Sequence, residues 1–505
     1  MKSKTDWPQG RVGLLNVVVI LLLTNVLLLL ALLTTDIRIS QDLWWPKPGS
    51  TGPTLRLSDD ITFSPSELIS ESTQNQHRAL YPVTLNTTTL DTSRGELRTF
   101  KPHGIASHLF IEFGAYRISP SQFSIVGLIS KRLHDLHDPP YNCTWRSGEV
   151  TVSALTTWPI KPDWELGLMY GTMVVVCIFP EDVGTAGEGG SLQLSIGYAD
   201  EFRQPENFVV LTEEAGKYNA SLWMPPFPYD ITFCVSRLYN TVDAHRIREW
   251  LAYHAHLFGN RTHFLFHNAG GLNSDVYKVL KPWIDLGRVS VQNLVMLEVY
   301  QGRSHHQFTM LNDCMFRAQT LSNWTFFFDV DEYLYIPPNK ILQQILDESE
   351  RMNFTQIRMK TIKMNDALCT KPDPPLDDAA RDAVNARKWA IEKLVYANCD
   401  YGWEPVESRK YALKPRAAWA TGVHYCEYLK EGGLMDADEN LLRLYHYHGT
   451  TPGPKEVCRD FTNGTNGEPN YLGVKNCTVD RTMTTLANPV KQFELQTIGK
   501  QSTLE

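Results

Sequence analysis

Two carboxylates break into a run that otherwise reads as a buried strand: residues 326–337 are FFFDVDEYLYIP. Phe326 to Phe328 and Tyr333 to Ile336 are aromatic and β-forming, the composition of a strand covered by protein. Burying Asp329 and Asp331 there costs several kcal/mol each unless something cationic compensates. Residues i and i+2 of a strand share a face, so both acids address one object at the strand's end, with Glu332 directly behind. A hard divalent ion carrying a diphosphate suits such a pair of oxygen donors. The competing reading is an ordinary strand-to-turn transition with solvated acids, and the apolar run on either side weighs against it.

The surroundings predict where that strand sits. DITFCVSRL from 230 reads as a strand, and DAHRIREWLAYHAHLFG as an amphipathic helix with Asp243 at its N-cap. THFLFHNAGG, SDVYKVLKPWIDLG, RVSVQNL and HQFTMLNDCMFRAQTL continue as strand, helix, strand and helix up to the DVD strand. This alternation predicts an α/β domain over 228–460 with a mostly parallel sheet and helices on both faces. Ligands of such sheets bind beyond the carboxyl ends of the strands, where Asp329 and Asp331 fall. No GxGxxG or GxxxxGK[ST] follows the first strand, so a dinucleotide or P-loop site is unsupported.

Residues 12–33 are apolar apart from Asn16, Thr24 and Asn25, and Lys2, Lys4 and Arg11 precede them. At ~1.5 Å per residue this run spans a ~30 Å hydrocarbon core, and the basic flank keeps residues 1–11 cytosolic. No small-residue cleavage site follows, so an uncleaved single-pass anchor with the remainder in the lumen is expected, rather than a signal peptide. Eight sequons agree with that side: Asn86, Asn142, Asn219, Asn260, Asn323, Asn353, Asn463 and Asn476. So do the nine cysteines, which contain no CxxC pair and read as partly bridged. Cys143 with Cys177 and Cys458 with Cys477 are the local partners, while Cys234 and Cys314 read as core thiols. The net charge is −8 over 505 residues without a basic stripe, which argues against nucleic acid as a partner.

Residues 34–98 are rich in Pro, Ser, Thr and Asp and read as a stem. Over 99–215, short strand-like runs such as HLFIEFGAYRI, FSIVGLIS and TMVVVCIF alternate with turns, the pattern of a small β-sandwich. Trp145, Trp158 and Trp164 in it could stack on sugar rings, though core packing is the favoured reading for each alone. Residues 461–505 read as a C-terminal extension.

Segments across this chain resemble the plant β-1,4-galactan synthases of glycosyltransferase family 92. They are GAYRISPSQFSIVGLISK (114–131), REWLAYHAHLFGNRTHFLFHNAGG (248–271), VLKPWIDLGRVSVQN (279–293), QFTMLNDC (307–314), NWTFFFDVDEY (323–333), ATGVHY (420–425) and RLYHYHGT (443–450). The resemblance implies a GT-A fold and an inverting, metal-dependent transfer of galactose from UDP-galactose to β-1,4-galactan side chains of pectin, in the Golgi. It also implies that the β domain binds carbohydrate. A homodimer is one option for the assembly.

On that footing Asp329 and Asp331 are the expected metal ligands. His446 is favoured as a third, ahead of His424 and then His448, and the mixed donors suit Mn²⁺ better than Mg²⁺. An inverting transfer needs one general base, for which Glu392 and Glu407 are the candidates, with Glu404 and Asp400 behind them. Ser236, Arg237, His267 and Asn268 at two strand ends, with Asp313 and Arg317 one helical turn apart, are expected at the nucleotide; an Asp313–Arg317 ion pair is the structural alternative. The rival functions are transfer of another sugar to another glycan, which turns on a few hydroxyl contacts, and a lectin-like membrane protein whose transferase site has decayed.

Overall fold

A computed structural model describes residues 96–104, 109–131, 138–163, 169–198, 203–239, 242–295, 300, 306–366, 377, 380, 384, 388–399, 409–451, 462–463, 469–470 and 476–500. The apolar run at 12–33 and most of the expected stem lie outside the described residues. Among those described, no helix is long and apolar enough to cross a membrane.

The chain begins with β1 (Glu96–Thr99) and then builds two antiparallel sheets. β2 (Lys101–His103), β3 (Phe110–Ser119), β4 (Gln122–Ser130), β5 (Tyr141–Ser147), β6 (Val150–Ser153), β7 (Thr156–Ile160), β8 (Tyr170–Ile178), β9 (Gly190–Ile196) and β10 (Glu206–Glu213) supply them. One sheet has the order β2-β3-β4-β8-β7, the other β10-β9-β5-β6. Alternation explains the apolar runs of β4 and β8, which are buried on both faces. Phe123, Ile125, Met173 and Val175 meet Trp145, Leu192 and Leu194 of the smaller sheet. Val126, Leu128, Val174 and Val176 turn the other way, onto a second core. The Cys143–Cys177 disulfide joins the two sheets.

The α/β part opens with β11 (Ile231–Val235), α1 (Ala244–Phe258), β12 (Thr262–Asn268), α2 (Ser274–Asp285), β13 (Val289–Val295), α3 (Gln307–Ala318) and β14 (Trp324–Phe328). Asp243 caps α1, its side chain accepting the Arg246 N–H at 3.1 Å. Then come β15 (Glu332–Tyr335), α4 (Leu342–Arg351), β16 (Phe354–Lys363), α5 (Ala390–Lys393), β17 (Tyr396–Ala397), β18 (Arg409–Leu413), β19 (Ala418–Ala420), β20 (Tyr428–Leu429), β21 (Gly433–Asp436), β22 (Arg443–His446) and, near the end, α6 (Ala487–Ile498).

The large sheet has the order β1-β13-β12-β11-β14-β18-β16-β22-β15, with β21 beside β16. β1, β13, β12, β11 and β14 are mutually parallel. β18 lies antiparallel between β14 and β16, and β15 is antiparallel to β22. β16 is parallel to both β21 and β22, so the sheet is mostly parallel as expected but mixed, with the antiparallel pairings confined to β18 and β15. Parallel pairing needs a long crossover, which helices supply from β11 through β12 and β13 to β14, whereas β18 and β15 stand outside that alternation and run antiparallel to their neighbours. α1 and α2 pack on one face through Ile247, Trp250, Val276 and Leu280 against Phe233, Phe264 and Phe326. α3 covers the other through Met310, Leu311 and Met315, between Phe327 and the five-stranded sheet's Val126 and Val174.

Four expectations change. Glu96–Thr99 is not stem but the edge strand of the large sheet, paired with β13. Within 461–505, α6 is core rather than appendage: Ala487 and Val490 join the α1 side, and Arg248 binds Glu494 at 2.8 Å. Cys234 and Cys314 are not thiols but a disulfide tying β11 to α3. Cys477 pairs with Cys399, not with Cys458, which lies outside the described residues. Among the sugar-stacking candidates Trp145 is 1% exposed and Trp158 40%, while Trp164 is not described. The Asn323 amide is bound by Glu350 and Arg416.

Candidate active site

β14 does not run through the carboxylates. It stops at Phe328, and β15 starts at Glu332 in a different part of the sheet, so DVD is the turn between them. The turn closes from both ends: Asp329 N–H donates to Glu332 Oε2 at 2.8 Å, and Glu332 N–H to the Asp329 carbonyl at 3.2 Å. Trp250 Nε1 holds the Glu332 carbonyl at 2.8 Å and the Tyr447 N–H holds that of Asp331 at 2.8 Å. A short polar turn is thus tied at both ends and through the Asp331 carbonyl, where its backbone groups would otherwise lack partners.

The turn forms the floor of a cleft of about 660 Å³ at the carboxyl ends of β11 and β14. Ser236, Arg237, Leu238 and Tyr239 line one side, Val423 and His424 another, and His446, His448, Gly449 and Thr451 a third, with Gln307 and Val242 between them. The cleft lies beyond the carboxyl ends of the parallel strands, the place where sheets of this kind bind ligands.

Asp329 and Asp331 have different neighbours. Lys410 Nζ from β18 lies 2.7 Å from Asp329 Oδ2 and 3.5 Å from Glu332 Oε2, and Gln307 Nε2 donates to Asp329 Oδ1 at 3.1 Å. Burial pushes the Asp329 carboxyl up, but Lys410, Arg237 and His446 outweigh it and hold the group well below the usual carboxylate range. For Glu332, also buried, Lys410 offsets desolvation only in part, and its pKa is raised to about 7. Asp331 Oδ1 faces His446 Nε2 at 3.5 Å, and Thr451 Oγ1 donates to its Oδ2 at 3.4 Å. Burial lowers the His446 pKa, yet Asp331, Glu332 and Asp329 around it raise it to about 9.

Among the described residues no group of three or more His, Cys, Asp and Glu side chains stands ready to hold a metal ion. Two donors do fit one. Asp331 and His446 meet across the cleft at a distance longer than a good hydrogen bond, and His446 Nδ1 is buried with no hydrogen bond, Glu332 Oε1 standing 3.9 Å away. Asp329, expected as an equal ligand, is instead engaged by an ammonium. His424 stands at the exposed lip with Nδ1 against the Arg409 carbonyl at 3.0 Å, and the His448 ring lies 5.2 Å from that of His446.

The expected nucleotide residues divide. Ser236 and Arg237 line the cleft. Asn268 does not: its Oδ1 accepts the Gly270 and Leu272 N–H groups and shapes the turn after β12. Asp313 is fully buried under the sheet, where it accepts from Arg98, Tyr116 and His267, the last at 2.8 Å. Asp313 and His267 are therefore a structural junction between α3, β12, β1 and β3, and Arg317 stands near the same charge. Of the base candidates only Glu392 is described, and it does not line the cleft. Glu392 caps its own helix, accepting the Trp389 N–H at 2.6 Å, and is paired with Lys491 of α6 at 2.5 Å. Glu407, Glu404 and Asp400 lie outside the described residues.

Sequence reasoning missed Lys410, Gln307, Tyr239 and Thr451, and noted Glu332 only as the acid behind the pair. Lys410 lies 81 positions from Asp329 in a strand that reads RKYAL, where it follows Arg409 and bears no local mark of its partner.

The family model of glycosyltransferase family 92 matches residues 229–483. Galactan beta-1,4-galactosyltransferase GALS1 of Arabidopsis thaliana is 39% identical over 403 residues, 80% of this chain and 79% of that protein. Galactan beta-1,4-galactosyltransferase GALS2 of the same plant is 36% identical over 415 residues, 80% and 76%. Among solved structures, mannosyltransferase PcManGT from Pyrobaculum calidifontis in complex with GDP-Man and Mn²⁺ is 13% identical, with a TM-score of 0.23 over 46% of this chain and 61% of that one. That last likeness is too slight to carry weight.

Proposed function

The chain belongs to glycosyltransferase family 92, and from that premise we propose that it transfers galactose from UDP-galactose to the end of β-1,4-galactan, on a GT-A fold and with inversion at the anomeric carbon. The observation that carries the reading is the cleft beyond β11 and β14, whose floor presents Asp331 and His446 to one space beside Arg237. The identity to galactan galactosyltransferases over four-fifths of the chain supports galactose as the sugar and galactan as the acceptor class.

The residues divide the work. Asp331 and His446 would hold a divalent cation, of which Mn²⁺ suits a carboxylate with an imidazole; such an ion neutralises the charge that builds on a departing diphosphate. Lys410 and Gln307 fix Asp329. Glu332 locks the turn that aims Asp331. Arg237, with its guanidinium over the Tyr239 ring at 4.6 Å, supplies a second positive charge at the cleft.

The setting proposed is a Golgi membrane, with residues 12–33 as a single anchor and the catalytic part lumenal. The basic flank and the apolar length support it, as do three disulfides among the described residues. Pectic galactan is the acceptor proposed.

The test is a panel of UDP-sugars against short β-1,4-galactan oligosaccharides, with and without Mn²⁺, and with the product linkage determined. The reading expects UDP-galactose to be preferred and a new β-1,4 bond to form. Transfer from a different donor, or UDP release that galactan leaves unchanged, would refute it. A decayed, lectin-like protein would bind galactan and release no UDP.

A further inference from the structure

Transfer to a sugar hydroxyl needs a group that takes the proton as the oxygen attacks, and neither carboxylate on the cleft floor is free to do so. Asp329 is held by Lys410 and Gln307, and Asp331 lies against His446 and Thr451. Glu392 is spent on its own helix and on Lys491.

One further carboxylate lies against a residue of the cleft wall. β16 runs parallel to β22 with Lys363 opposite His446, and the Met364 N–H donates to the His446 carbonyl at 2.9 Å. Both segments continue in the same direction past that pair, which carries Asp366 alongside His448 and Gly449. A second measure gives the same placement. Gly449 has φ +83°, and a Cβ built on it would lie 2.9 Å from Asp366 Oδ2. Gly449 and His448 line the cleft, so the Asp366 carboxylate rests on the wall at a residue that has no side chain to hold it away. Asp366 is exposed, and no described residue donates a hydrogen bond or ion pair to it.

We propose that Asp366 is the general base of the transfer, an assignment that rests on the galactosyltransferase reading above. A carboxylate oxygen of Asp366 takes the proton of the acceptor's 4-hydroxyl. That hydroxyl oxygen forms the new bond to the anomeric carbon of galactose. The bond from this carbon to the β-phosphate oxygen breaks, and its electron pair leaves with UDP. Gly449 acquires a role in the same step: it is the gap through which the carboxylate meets the acceptor.

Asp366→Asn keeps the shape and removes the basicity. It is expected to lower kcat on galactan oligosaccharides by about 10²–10⁴. KM for UDP-galactose, UDP affinity by calorimetry and the thermal midpoint stay at wild-type values, because the side chain is exposed and bears no structural contact. The acid limb of the wild-type pH profile of kcat/KM disappears in the variant, and Asp366→Glu recovers part of the rate. A rate within roughly threefold of wild type overturns the assignment, as does a loss confined to UDP affinity. So does a comparable fall in Glu407→Gln with Asp366→Asn unimpaired. Wild-type protein run beside the variants, with galactan and with water as acceptor, separates the two claims. If wild type does not extend galactan, the galactan reading fails, and Asp366 is then judged on UDP release, where the proton comes from water.

Discussion

Replacing Asp313 with Ala strips Arg98, Tyr116 and His267 of their common acceptor at once. A hydrogen bond to a charged group contributes ~1.5–3 kcal/mol, but the larger cost is a guanidinium left in protein without its anion. Arg98 is 15% exposed and Asp313 0%, and breaking such a buried pair costs ~3–5 kcal/mol. Unfolding entropy of ~2.1 cal/mol/K per residue over roughly 400 residues converts ~4 kcal/mol into a fall of ~5 °C in Tm. Asp313→Asn retains one acceptor oxygen and is expected to lose about half as much. Burial alone would raise the Asp313 carboxyl, yet Arg98, His267 and Arg317 hold it well below the usual range. A carboxyl depressed on folding contributes stability above its unfolded pKa and loses it as pH falls. The gap in Tm between wild type and Asp313→Ala is therefore flat from pH ~8 to ~5 and closes below ~4. Calorimetric melts across that range read the gap, and titration with UDP reads the site. An unmoved Tm together with weakened UDP binding would return Asp313 to the nucleotide and refute the structural account.

Asp331→Ala should abolish galactosyl transfer with Tm nearly unchanged; full activity of the folded variant in chelator-treated buffer would remove Asp331 from the metal assignment. Lys410→Met leaves Asp329 and Glu332 buried without their shared cation and should cost ~3–5 kcal/mol in urea unfolding at pH 7, whereas a loss under ~1 kcal/mol would show that the lysine is solvated rather than paired. His254 is fully buried, and burial lowers its pKa to about 3 despite the Trp250 carbonyl at 2.9 Å. The unfolded chain takes up that proton near pH ~6.5 and the folded one does not, so stability falls with pH below that value by up to ~1.4 kcal/mol per unit. His254→Phe should flatten that slope, and an unchanged slope would place the proton uptake elsewhere.

Local pattern carried the α/β elements well. The N-cap at Asp243, the alternation of β11, α1, β12, α2 and β13, and the apolar flanks of DVD all follow from spacing and composition within a dozen residues. What failed depends on partners distant in sequence. Asp313 and Arg317, one turn apart, looked like a charged pair facing a ligand, but the decisive partner is Arg98, 215 positions upstream. Glu392 looked like an acid available for chemistry, and Lys491, 99 positions later, claims it. Lys410 was invisible because a lone lysine in a strand carries no period. Cys234 and Cys314 read as apolar neighbours because a disulfide between a strand and a covering helix leaves no local mark. Asp366 follows a strand whose register, not whose sequence, brings it to Gly449.

The pairing of β1 with β13 sets a clock on biosynthesis. Glu96 is joined to Gln292, so an edge strand of the large sheet leaves the ribosome nearly two hundred residues before its partner. At ~5–20 residues per second that interval is ~10–40 s. All nine strands of the two antiparallel sheets are made within it and have time to close on one another, whereas α3, which those sheets must cover, has not yet been synthesised. Until then Val126, Leu128, Val174 and Val176 present an apolar face with nothing against it. The nascent chain thus passes through a stage with one finished core and one open one, and this is the stage at which a chaperone that binds apolar β surface has its target.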